Sequence, residues 1–78
     1  MYIVYIIENQ SGIYYKGVTE NLEKRLEEHN TNKSRFTSGK GPWILVYFKN
    51  YPLKSEALLE EKRIKRLNHA SLERLISK

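Results

Sequence analysis

The chain of 78 residues contains no cysteine and no aspartate, only two prolines and four glycines. Without cysteine it can form neither a disulfide nor a thiolate metal site, a usage that suits the cytoplasm. Without aspartate, metal sites built on paired aspartates are excluded, and every acidic side chain is a glutamate. No apolar run approaches the roughly 18 residues of a membrane helix. The opening MYIVYIIENQ carries neither the basic leader nor the small-residue cleavage site of a signal peptide. A soluble, cytoplasmic protein is expected. There is also no room for a second core, so residues 1–78 are expected to form one domain whose functional side chains share space with its core. Repeats, low-complexity segments and linkers are absent.

What the chain does have is positive charge, unevenly spread. The net charge is +5 and the pI about 9.6. Up to Glu28 acids outnumber bases, whereas Lys33, Arg35, Lys40, Lys49 and Lys54 follow with no acid among them. A positive field concentrated in mid-chain is a phosphate-facing pattern, although basic loops also serve solubility alone.

Tyr2 to Ile7 and Ile13 to Val18 are β-branched and aromatic runs separated by the turn-rich ENQSG, which predicts a β-hairpin. A loop from Glu8 to Gly12 would set Ile7 opposite Ile13, Tyr5 opposite Tyr15 and Ile3 opposite Gly17, with both tyrosines on one face. Thr19 is placed to cap a helix running to about His29, with Glu20 and Glu23 in its first turn. Leu22 and Leu26 define its buried stripe, and Arg25 and His29 fall beside or inside that stripe. Asn30 to Pro42 reads as a mobile surface loop and Trp43 to Lys49 as a third strand, central or beside the hairpin. Ser55 would cap a second helix from about Glu56 to Leu67, and Ser71 to Ile76 forms a short third one.

In the second helix Ala57, Leu58 and Ile64 mark an apolar arc, and Glu61 projects within it. A carboxylate facing a core needs a partner: Lys65 one turn on, Arg25 across the core, or a divalent cation with its waters. Tyr5 and Tyr15 have the plain reading of a cross-strand packing pair. Gly17 marks either a kink or a close approach. Arg25 alone reads as a snorkelling surface arginine and His29 as a helix-end dipole partner. Taken together they make a set: two phenols, an arginine, a histidine and an inward glutamate. Phosphodiester hydrolysis needs a metal to polarise the phosphate, a base for the attacking water and a cation for the developing charge, and this set can supply each. A tyrosine, with its ordinary pKa near 10, would need nearby positive charge to act as the base.

Five separated segments then match one family in order and spacing. VYI at Val4 to Ile6 and YKG at Tyr15 to Gly17 stand as paired strand motifs; the literal GIY at Gly12 to Tyr14 is not the first of them. GVTENLEKRLEEHN, FTSGKGPWILVYF and EALLEEKRIKRL follow. On these the chain resembles the small stand-alone GIY-YIG nuclease domains related to the N-terminal nuclease domain of the bacterial repair protein UvrC. The resemblance implies an α+β fold, a small three-stranded, mainly antiparallel sheet flanked by helices in the order β-β-α-β-α-α. It implies that Glu61 holds one Mg2+ or Mn2+ ion, that Tyr5 assisted by Tyr15 activates or orients water, that Arg25 stabilises the pentacovalent charge, and that His29 helps move a proton or position phosphate. Lys16, Gly17, Thr19, Lys33, Arg35 and Lys40 would meet nucleic acid. Lys16 stands where the family carries an apolar residue, on the face opposite Tyr15.

The expected function is a metal-dependent DNA endonuclease making single-strand cuts with low sequence specificity in DNA repair or processing, RNA not excluded, with a protein partner able to supply specificity. The alternatives are a catalytically weak or inactive nucleic-acid-binding module on the same scaffold, and a small protein-interaction domain.

Overall fold

The computed structural model describes residues 1–33 and 36–77. The elements follow as β1 (Tyr2–Glu8), β2 (Tyr14–Thr19), α1 (Leu22–Asn30), β3 (Ile44–Tyr51), α2 (Lys54–Lys65) and α3 (His69–Ile76). The three strands form one antiparallel sheet in the order β2-β1-β3, so β3 lies beside the hairpin with β1 at the centre. Among the described residues no helix is long and apolar enough to cross a membrane.

Alternation along β1 divides the core in two. Val4 and Ile6 face Ala57, Ile64 and Leu72 of α2 and α3. Tyr5 and Ile7 face the other way, onto Trp43 with Leu22 and Leu26 of α1. A central strand covered on both faces must be apolar at every position, which accounts for the unbroken run YIVYII. On α2 the expected apolar arc holds at Ala57 and Ile64, whereas Leu58 is exposed.

The hairpin pairs Glu8 with Tyr14, Ile7 with Tyr15, Tyr5 with Gly17 and Ile3 with Thr19, two residues away from the expected register. Asn9 sets this slip. Its Oδ1 accepts from the backbone N–H of Ser11 and of Ile13, and its own N–H donates to the Ile13 carbonyl. The turn is therefore centred one residue later, and Gly12 supplies its positive φ of 78°. A slip of two keeps every side chain on its original face.

Helix starts also differ from expectation. Thr19 is still paired with Ile3, so its backbone is strand, and its hydroxyl closes a turn with Asn21 instead of capping. Asn21 is the cap, its Oδ1 accepting from the Lys24 N–H. Ser55 lies inside α2, whose cap position is Leu53 with no side-chain hydrogen bond. Asn68 caps α3 through the Ser71 N–H, which starts that helix at His69. Trp43 precedes β3 instead of opening it, buried with its indole N–H on the Thr37 carbonyl.

Candidate functional site

An open hollow of about 360 Å³ gathers Tyr5, Tyr15 and Gly17 from the hairpin, Arg25 from α1 and Glu61 from α2, with Thr19, Glu20 and Lys54 at its rim. The two phenols share a face because Tyr15 lies two residues from the partner of Tyr5, and their ring centroids are 6.4 Å apart. Gly17 sits directly opposite Tyr5. A methyl group there would stand 2.6 Å from the Tyr5 hydroxyl oxygen and 2.8 Å from Cζ. The glycine thus makes the space in which the phenol lies, the close approach that a glycine within a strand often marks.

Glu61 faces this hollow with its side chain 19% exposed, and Lys65 Nζ stands 3.6 Å from one carboxylate oxygen. Of the three partnerships raised by its position, the lysine is near and the carboxylate also looks into the space beside the phenols, whereas Arg25 forms its ion pair with Glu28 instead. Arg25 donates to Glu28 at 3.0 Å, an intrahelical pair that holds its guanidinium at the hollow. Burial opposes the Arg25 charge, but the Glu28 carboxylate and the Tyr5 hydroxyl favour it, and its proton is held more tightly than usual.

His29 is fully buried and does not line the hollow. Its Nε2 is 2.8 Å from the Tyr5 hydroxyl oxygen and its Nδ1 is 2.8 Å from Thr37 Oγ1. Burial, and then the Arg25 charge, lower its pKa, which favours the neutral ring. A neutral imidazole has one donor and one acceptor nitrogen, and the two hydroxyls complement either tautomer. Burial also dominates at Tyr5, pushing its hydroxyl up to about 12 against a smaller pull from Arg25.

Thr37, which sequence reasoning passed over, is also fully buried. Its segment was expected to be a mobile surface loop, yet Asn30 holds the Trp43 backbone from both sides, and Trp43 holds the Thr37 carbonyl. A threonine within a polar stretch carries no periodic signal, so nothing local distinguishes it from a surface residue.

Only some of the residues expected to meet nucleic acid lie at this hollow. Gly17 and Thr19 line the hollow, Lys16 lines an adjoining one, and Lys33 and Lys40 are exposed. Arg35 lies outside the described residues.

Among the described residues no three histidine or glutamate side chains cluster as ligands for a metal. The hollow offers oxygen donors, led by the Glu61 carboxylate with that of Glu20 also lining it, while both nitrogens of His29 are engaged elsewhere. That donor set fits a hard cation such as Mg2+, which keeps several waters and takes one or two carboxylates together with substrate phosphate. It does not fit zinc, which favours nitrogen and sulfur.

The family model described as the GIY-YIG catalytic domain matches residues 1–74. A UPF0213 protein of Halobacterium salinarum is 40% identical over 76 residues, which span 96% of this chain and 99% of the relative. A UPF0213 protein of Oceanobacillus iheyensis is 46% identical over 65 residues, 82% of this chain and 76% of that one. The solution NMR structure of a UPF0213 protein from Bacillus halodurans superposes with a TM-score of 0.64 at 35% identity, covering 99% of this chain and 84% of that one.

Proposed function

Because the chain belongs to the GIY-YIG catalytic domain family, we propose that it is a metal-dependent endonuclease making single-strand phosphodiester cuts in DNA with low sequence specificity. On this reading it works in cytoplasmic DNA repair or processing, and RNA shares the same scissile chemistry. The observation that carries the reading is the convergence of Tyr5, Tyr15, Arg25 and Glu61 on one hollow.

Each group has a task. Glu61 holds the Mg2+ or Mn2+ ion, whose chemistry when bound is to polarise the phosphate. Tyr5 takes the proton of the attacking water as its own hydroxyl proton passes to His29 Nε2, 2.8 Å away. That handover needs the tautomer with its hydrogen on Nδ1, which donates to Thr37 Oγ1. Tyr15 orients the water. Arg25 stabilises the charge of the pentacovalent phosphorus while the bond to the leaving oxygen breaks on the far side, inverting phosphorus. Lys16, Gly17, Thr19, Lys33, Arg35 and Lys40 hold the flanking backbone, Gly17 through its main chain, since the space beside its Cα is taken by the Tyr5 phenol. Phosphate contacts of this kind position a strand without reading it, which leaves sequence choice to a protein partner.

A specific observation favours a second reading. Arg25 is paired with Glu28 and Glu61 stands near Lys65, while Tyr5 holds its proton tightly. A scaffold with its reactive groups so occupied could bind nucleic acid without cutting it. Incubation with supercoiled plasmid and Mg2+ or Mn2+ separates the two. The nuclease reading requires nicking that chelation abolishes and that Glu61→Gln reduces by about 100-fold or more; salt-sensitive binding without any nick establishes the silent module.

A further inference from the structure

Phe36 is 53% exposed, although its ring is far from idle. It packs against Tyr15 with centroids 5.4 Å apart, and Lys40 Nζ stands 4.5 Å from its centroid. Between Phe36, Tyr15, Lys16, Glu61 and Lys65 lies a second open hollow of about 470 Å³. It shares Tyr15 and Glu61 with the first, so whatever occupies it adjoins the acid assigned to the metal and scissile phosphate.

We propose that this second hollow is a subsite for an unpaired nucleobase, stacked on Phe36, of the strand whose neighbouring phosphate is cut. The substrate class that follows is single-stranded or locally unpaired nucleic acid. The inference rests on the nuclease reading for the role of the first hollow.

Three features point this way. An aromatic ring held half in water by a packing partner is a stacking platform, and stacking tolerates any base because every base has a π-face. Paired bases inside a duplex have both faces occupied by their neighbours, so only an unpaired, terminal or extruded base can use such a ring. The rim is basic: Lys16 and Lys65 line the hollow, and Lys40 hovers over the ring. An exposed lysine over a ring contributes only a few-fold to an equilibrium, whereas a stacked base contributes about ten-fold. An arriving base therefore displaces Lys40, whose ammonium is then free for an adjacent phosphate.

The test reads binding in the Glu61→Gln background, where cutting is suppressed. Anisotropy titrations use a short single strand, in deoxy and ribo forms, and a blunt duplex; a strand carrying 2-aminopurine reports stacking by its quenching. Phe36→Ala and Phe36→Leu are expected to weaken single-strand binding about ten-fold, to relieve the quenching and to leave duplex binding unchanged, while Phe36→Trp restores both signals. Circular dichroism confirms that each variant is folded. Wild-type behaviour of Phe36→Leu, an equal loss on duplex and single strand, or no rescue by tryptophan overturns the subsite and leaves Phe36 as packing or as a contact for a protein. The comparison of deoxy and ribo strands reports which backbone the flanking lysines prefer. Because binding and nicking are read separately, absence of quenching with Phe36 in place while the wild-type protein nicks plasmid sinks this subsite alone. Intact stacking with no nicking by the wild-type protein sinks the nuclease reading alone.

Discussion

Burial pushes the Tyr5 hydroxyl from about 10 up to about 12, and the nearby Arg25 charge offsets only part of that. Between those values the folded protein keeps a proton that the unfolded chain has released. Stability is therefore fully present below pH 10 and falls as pH rises through 12, by on the order of 2 kcal/mol. Urea denaturation from pH 8.5 upward should show this loss in the wild type; Tyr5→Phe, less stable at the start because it leaves His29 Nε2 unpaired, should lack the Tyr5 share of the slope. An identical slope in both proteins would mean that the hydroxyl is not buried as described. The same side chain shows how far sequence carries at this scale. That Tyr5 and Tyr15 share a face was legible from alternation and survives the two-residue slip. That His29 is fully buried was not, because its helical position beside the Leu22 and Leu26 stripe suits a surface histidine equally well.

The elements are joined by two segments that polar side chains fasten. Asn9 organises the hairpin turn and also donates through its side chain to the Lys40 carbonyl, tying that turn to the segment between α1 and β3. On the other side Thr37 bonds His29 Nδ1 and receives the Trp43 indole N–H. Thr37→Val conserves shape while leaving a buried imidazole nitrogen without a partner, which costs about 1–3 kcal/mol. Denaturant titration is expected to show that loss, and Thr37→Ser to recover most of it; equal stability of the valine and serine variants would remove the hydrogen bond from the account. Existence and order of the elements were readable from the runs of apolar residues, as was the start of β1 at Tyr2, whereas the helix starts were not. Thr19, Asn21 and Ser55 are all capping residue types. Between Thr19 and Asn21 the choice depends on where β2 stops pairing with β1, a property of two strands and not of either alone, while Ser55 already lies inside α2.

For the molecule as a whole, the net charge of +5 and the lysines around both hollows predict binding to nucleic acid driven by counterion release. The logarithm of affinity for plain duplex should fall linearly with the logarithm of salt, at about 0.9 per phosphate neutralised. Lys33→Gln and Lys40→Gln should each lower that slope by about 1 and weaken unrelated sequences alike; a loss confined to particular sequences would show that these lysines read bases. Composition, charge and the two periodicities are properties of neighbours along the chain, and they determined the three strands, the three helices, the basic middle segment and the shared face of Tyr5 and Tyr15. Tertiary structure decided which faces meet. Only the strand order β2-β1-β3, with α2 laid against β1 and β2, brings Glu61 to the hairpin phenols and buries His29 between Tyr5 and Thr37. Residues far apart in sequence share no local period, so their meeting is fixed only when the core closes around them.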